Sequence, residues 1–281
     1  MPVLIWSTLF LASGCALFVA DRRPAMLLLA LSLAIALAVG VLHPIALPAI
    51  AALAASLIMA LRARRMFSRI AAHALFLALT VTFATHLLPG FHNTLIYDRQ
   101  RLSADAIPFT MYLSLDKALP AFAIVLLCPW ARKTLPWQDS RRGRLLIPAL
   151  SCAGCLLLAL GFGLVRWEPK WPALAAVWLL NNLLLVSLSE EAVFRVYLQG
   201  GLSRAWAARR HGASHALACS TVLFGLAHLA AGWRFALVAG LAGLGYGLAY
   251  RHGGIKAAVL VHFALNAVQF FLFTYPMLAA A

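Results

Sequence analysis

Apolar runs of about 20 residues, the length an α-helix needs to cross a bilayer, follow one another along the chain with only short polar breaks. That pattern restricts the fold more than any other feature. Hydrophobic residues make up 64% of the chain and charged residues 11%, less than half the share usual in a soluble domain. An ordinary soluble enzyme, a disordered chain and a disulfide-stapled secreted module are excluded. The 281 residues leave room for about ten spans and little else.

The runs read as spans 3–20, 24–42, 44–61, 70–89, 107–130, 145–165, 172–193, 214–231, 233–250 and 255–275. Each is expected to be a helix, because an isolated strand cannot satisfy its backbone in lipid. The expected fold class is therefore an all-α polytopic membrane protein. Only His43-Pro44 divides the second run from the third. Residues 3–20 have no basic leader or clear cleavage site and read as a retained span.

Ten spans sort the loops alternately to two sides. The odd loops hold sixteen Lys and Arg, the even loops five. The positive-inside bias then predicts both termini outside the cytoplasm, and the basic loops point to a bacterial inner membrane. The same bias accounts for the net charge of +15. No stretch interleaves aromatics with Lys and Arg as a nucleic-acid groove would, so no nucleic-acid partner is expected.

The connection 90–106 reads as a polar external loop, with capping of a cavity as the other reading. Asp116 and Lys117 either form an intramembrane pair or mark a helix that starts near Ala118. Cys15, Cys128, Cys152, Cys155 and Cys219 all sit in or beside apolar runs. Cys152 and Cys155 make a CxxC without a second pair or a nearby His, and read as small apolar residues. Gly243 and Gly247 stand four apart, a spacing that lets helix backbones approach closely.

Chemistry has to come from polar groups inside the apolar runs. Glu190 and Glu191 follow the apolar stretch 178–188, and an ionisable group within a span is a functional-site hypothesis by default. Consecutive helical residues diverge by about 100°, so one carboxylate can face a cavity while the other is held by the scaffold. Arg195 stands four residues after Glu191, the spacing of a helical ion pair. The other reading of Glu190, Glu191 and Arg195 is a solvated helix end leaving through 198–201. His228 and His262 lie in separate downstream runs, and Asn266 shares a helix face with His262. On straight helices, Glu190 and His262 fall toward the cytoplasmic side and His228 toward the outer end.

Glu190-Glu191-x-x-x-Arg195, Phe224-x-x-x-His228 and His262-x-x-x-Asn266, in that order, resemble the three signature motifs of the CPBP family. These are the CAAX proteases and bacteriocin-processing enzymes, also called type II CAAX prenyl endopeptidases or Abi proteins. The glycine-rich stretch 240–254 resembles the family's connection between its second and third motifs. The resemblance covers about residues 172–271; residues 1–171 carry no recognised motif, and 272–281 form a tail. It implies an intramembrane glutamic endopeptidase acting on a peptide or protein at the membrane, with no cofactor. Glu190 would activate a water, His228 would help to hold it, and His262 and Asn266 would stabilise the oxyanion. Glu191 would belong to the same catalytic set, with Arg195 and Phe224 in support.

Two other readings use the same residues. Glu190, His228 and His262 could hold a catalytic zinc, although no HExxH is present. A non-enzymatic partner or transporter could use them to bind a ligand or a proton.

Overall fold

The computed structural model describes residues 2–131 and 141–279; the basic residues Arg132 and Lys133 lie outside the described residues. The apolar runs form nine helices among the described residues. These are α1 (Pro2–Phe18), α2 (Arg23–Ala38), α3 (Leu47–Arg62), α4 (Met66–Ala84), α5 (Leu115–Leu127), α6 (Arg141–Gly161), α7 (Ala175–Ala205), α8 (Gly212–Ala227) and α9 (Trp233–Leu272). Pro44–Arg62, Met66–Ala84, Ala175–Ala205 and Trp233–Leu272 are long and apolar enough to cross a membrane; the apolar segments 3–18, 23–38, 149–161 and 212–227 are shorter. The chain is thus a mostly helical membrane protein.

The division between α2 and α3 follows from local chemistry. Gly40 takes φ +75°, a conformation glycine adopts without a Cβ penalty. Pro44 then opens a short 3₁₀ turn, Pro44–Ala46, where its missing N–H is not needed.

Helix α9 is one element by hydrogen bonding but two arms in space. Gly254 interrupts it with φ +67°, ψ −160°. The Tyr246 and His262 rings are stacked at 4.4 Å. Sixteen residues of straight helix would separate them by about 24 Å. The chain therefore folds back at Gly254, and 233–253 and 255–272 lie side by side. This matches the separate runs read at 233–250 and 255–275.

The expectation that every run is helical fails at 107–130. Its first part is a strand, β2 (Phe109–Leu113), paired antiparallel with β1 (Thr94–Gln100). The strand is not isolated: β1 supplies the backbone partners that lipid could not. Met111 and Leu113 alternate with exposed Thr110 and Tyr112, a period-2 pattern that the flanking apolar residues hide in the sequence. Within the expected polar loop at 90–106, Thr94–Gln100 is thus strand. Fully buried Tyr97 in β1 donates its hydroxyl to the carbonyl of Ala173, which ties the hairpin to the approach to α7.

Packing pairs α1 with α2, α3 with α4, and both α6 and α8 with α9. Small residues set the closest approaches. A Cβ on Gly247 would collide with Leu217 of α8, and one on Gly243 would stand 3.1 Å from the Phe224 ring. The sulfurs of Cys152 and Cys155 face the carbonyls of Val261 and Val238, one on each arm of α9. They act as small packing groups, and all five cysteines are free.

Candidate active site

Helix α7 carries the two glutamates on a distorted backbone. π-helical turns at Asn182–Ser187 and Ala192–Gln199 flank the short α-helical piece Leu188–Glu191. Such widened turns re-aim side chains and recur at functional sites. The two carboxylates diverge as expected. Glu191 is fully buried, whereas the Glu190 side chain keeps 20% of its surface and faces a cavity.

Glu191 is held from both sides. Arg195 Nε donates to its Oε2 at 3.0 Å and His262 Nδ1 stands 2.8 Å from its Oε1. Two buried charges satisfied by one another and by hydrogen bonds make burial tolerable. Arg195 also donates to Ser220 Oγ at 2.8 Å and stacks on the Phe224 ring, with Cζ 5.2 Å from the centroid. A solvated helix end is excluded for this pair, because both side chains have no exposed surface.

The tautomers follow from the partners. A carboxylate only accepts, so His262 Nδ1 carries the proton and Nε2 is the atom turned toward Glu190, at 3.9 Å. His228 Nδ1 stands 2.8 Å from the Phe224 carbonyl, so it too is the donor and leaves Nε2 toward Glu190 Oε2, at 4.0 Å. Both separations exceed a direct hydrogen bond and match groups that share a small polar molecule. The Tyr246 ring, stacked within 11° of parallel, fixes the plane of His262.

The depth mismatch expected from straight helices does not occur. Helix α8 ends at Ala227 rather than 231, so His228 sits where the chain turns back. The reversal at Gly254 returns His262 to the same level, and π turns re-aim α7. The two imidazoles meet at Glu190.

Asn266, one turn after His262, donates to Asn182 Oδ1 at 3.3 Å. Asn182 was not singled out in the sequence. The signal was available in Asn181-Asn182, two carboxamides in the middle of the apolar run 172–193, each costly to bury without a partner.

Lys117 stands out in the sequence beside Asp116, but not as a partner of Glu190. Its Nζ lies 3.6 Å from Glu190 Oε1. Neither reading of Asp116 and Lys117 describes the outcome fully. Helix α5 starts at Leu115, and the two side chains turn to different partners. Asp116, almost wholly buried, accepts from Asn93 at 3.1 Å and meets His86 Nδ1 at 2.7 Å. A lone lysine in an apolar run upstream of a surplus glutamate was the available signal.

Glu190, Lys117 and His228 line a cavity of about 520 Å³ with mainly apolar walls, among them Val81, Pro120 and Phe194. A second cavity, of about 280 Å³ and more polar, lies on the other side of Lys117, which lines both. Among the described residues, no three His, Cys, Asp or Glu side chains are grouped so as to hold a metal ion.

The fold and the site define a class: a helical membrane protein with two imidazoles turned toward a carboxylate that faces a cavity. Residues 170–268 match the family model described as Type II CAAX prenyl endopeptidase Rce1-like, which supports membership of the CPBP family. That is a family of proteases, so the match supports peptidase activity at that level. It spans all three motifs, while Lys117 and the hairpin lie outside it. No curated protein and no solved structure matches the chain at a significant level.

Proposed function

We propose that this protein is an intramembrane endopeptidase of the CAAX type that hydrolyses a peptide bond with a glutamate-activated water. The carrying observation is Glu190, a partly exposed carboxylate in a cavity, with Nε2 of both His228 and His262 turned toward it at 4.0 and 3.9 Å. In this reading the protein crosses the membrane about ten times, with both termini outside the cytoplasm, and its substrate is a peptide or protein reached at the bilayer.

A water between these groups gives one proton to Glu190 while its oxygen attacks the scissile carbonyl. His228 Nε2 accepts a hydrogen bond from the water's other O–H, which stays on the oxygen, and orients it. The carbonyl oxygen gains negative charge and takes hydrogen bonds from Asn266 Nδ2 and from Nε2 of His262, which in this reading carries a proton on both nitrogens from the start of the cycle. Asn266 has a second N–H beyond the one given to Asn182. Glu191 balances the imidazolium charge, and Arg195 holds Glu191 in place. Glu190 then returns its proton to the departing amine nitrogen, which leaves a carboxylic acid and an amine. Donors fixed where charge develops lower the barrier most in a site shielded from water.

The test compares cells producing the wild type with cells producing Glu190→Gln, which keeps the shape and removes the base. Membrane and secreted peptides are profiled by mass spectrometry. Particular fragments should vanish in the variant at equal protein level, and those fragments name the substrate. Identical profiles from two folded proteins overturn the reading.

A further inference from the structure

Among the described residues, strand β2 pairs with β1 on one side only, in a two-stranded sheet. Its other edge borders the 280 Å³ cavity. Successive strand residues point to opposite faces, yet four in a row, Phe109, Thr110, Met111 and Tyr112, all line this one space. A cavity over one face would touch alternate residues. This one runs along the edge, where the backbone N–H and C=O groups without a strand partner project. Asn181 and Asn182 of α7 line the same cavity.

The two ends of the active site meet at this cavity. Lys117 lines it and stands 3.6 Å from Glu190, while Asn182 lines it and accepts from Asn266. A chain lying along β2 would therefore reach the base on one side and the oxyanion donor on the other. A peptide must be extended for its scissile carbonyl to be open to attack, and an unpaired edge holds it in that form through main-chain bonds.

We infer that the free edge of β2 is the substrate-binding strand: the polypeptide to be cleaved adds antiparallel or parallel to residues 109–113 and passes over Lys117 to Glu190. This rests on the protease reading above. Five strand residues hold about five residues of substrate at ~3.4 Å each. Main-chain pairing makes few demands on side chains, so sequence selectivity comes from the apolar cavity beyond Lys117.

The probe is a synthetic peptide copying the cleavage site found in the fragment profile. It is made in two further forms, N-methylated at odd or at even backbone positions on the segment expected to pair. The full chain in detergent micelles is assayed with each. In strand addition, alternate N–H groups bond the edge, so one form should show KM raised about tenfold per two lost bonds, with kcat held, and the other should match the parent. A copy of the peptide carrying a benzophenone side chain, added to the Glu190→Gln protein and irradiated, should label residues 109–114. Equal behaviour of the two methylated forms, or labelling confined to other segments, overturns strand addition while leaving proteolysis intact. Failure of the parent peptide to be cleaved by the wild type overturns the protease reading itself, and strand addition with it.

Discussion

Arg195→Met should unfold the site from within. Arg195 and Glu191 have no exposed surface and meet at 3.0 Å. Removing the guanidinium leaves the Glu191 carboxylate in a dry interior with only His262 Nδ1 as partner. Breaking a buried pair from one side costs about 3–5 kcal/mol. Ser220 adds little to that loss, because its hydroxyl still donates to the Phe194 carbonyl at 2.7 Å. At roughly 2–4 °C per kcal/mol for a large domain, the apparent Tm in micelles should fall by about 6–20 °C at a fixed scan rate. The double variant Glu191→Gln/Arg195→Met carries no stranded charge, and its amide oxygen still accepts from His262. It should recover at least half of the loss. A single variant within about 2 °C of wild type would refute the reasoning, as would a double variant that loses as much as the single one.

Gly247→Ala should lower the apparent Tm by an amount equivalent to about 1–3 kcal/mol, because the new methyl collides with Leu217 and stands 2.8 Å from Gln199 Oε1; Gly240→Ala, whose methyl would have its nearest neighbour at 3.9 Å, should be neutral or stabilising in the same melt. Asn266→Leu should reduce kcat by about a hundred- to a thousandfold with Tm nearly held, measured on the peptide from the fragment profile; a drop below tenfold rejects the oxyanion role. Burial raises the Tyr97 phenol above its usual value. Folded protein then keeps a proton that the unfolded chain releases, so this contribution is complete below pH 10 and is lost as pH rises through the folded value. Wild type should therefore lose stability faster than Tyr97→Phe above pH 10, and parallel Tm–pH curves would rule this out. Purified active protein should contain far less than one zinc per chain and keep its activity in a chelator; stoichiometric zinc would replace the glutamate–water mechanism with a metal-bound one.

The sequence alone determined the membrane class, because only helices or closed barrels satisfy a backbone in lipid, and apolar runs of span length recur throughout. It also determined the divergence of Glu190 from Glu191 and the Glu191–Arg195 pair. Both follow from the 3.6-residue period of one helix, which holds locally whatever packs around it. The break at Gly254 and the close approach at Gly247 were legible for a similar reason: each depends on a missing Cβ. Tertiary structure decided what lies between elements. His228 and His262 reach Glu190 at one level only because α8 ends early and π turns re-aim α7, and neither event has a periodic signature. The partner of Glu190 is Lys117, 73 positions earlier, and no local spacing could announce that contact. Strand β2 read as part of a span because its apolar residues continue into α5, and only the presence of β1 beside it supplies the backbone partners that make a strand stable there.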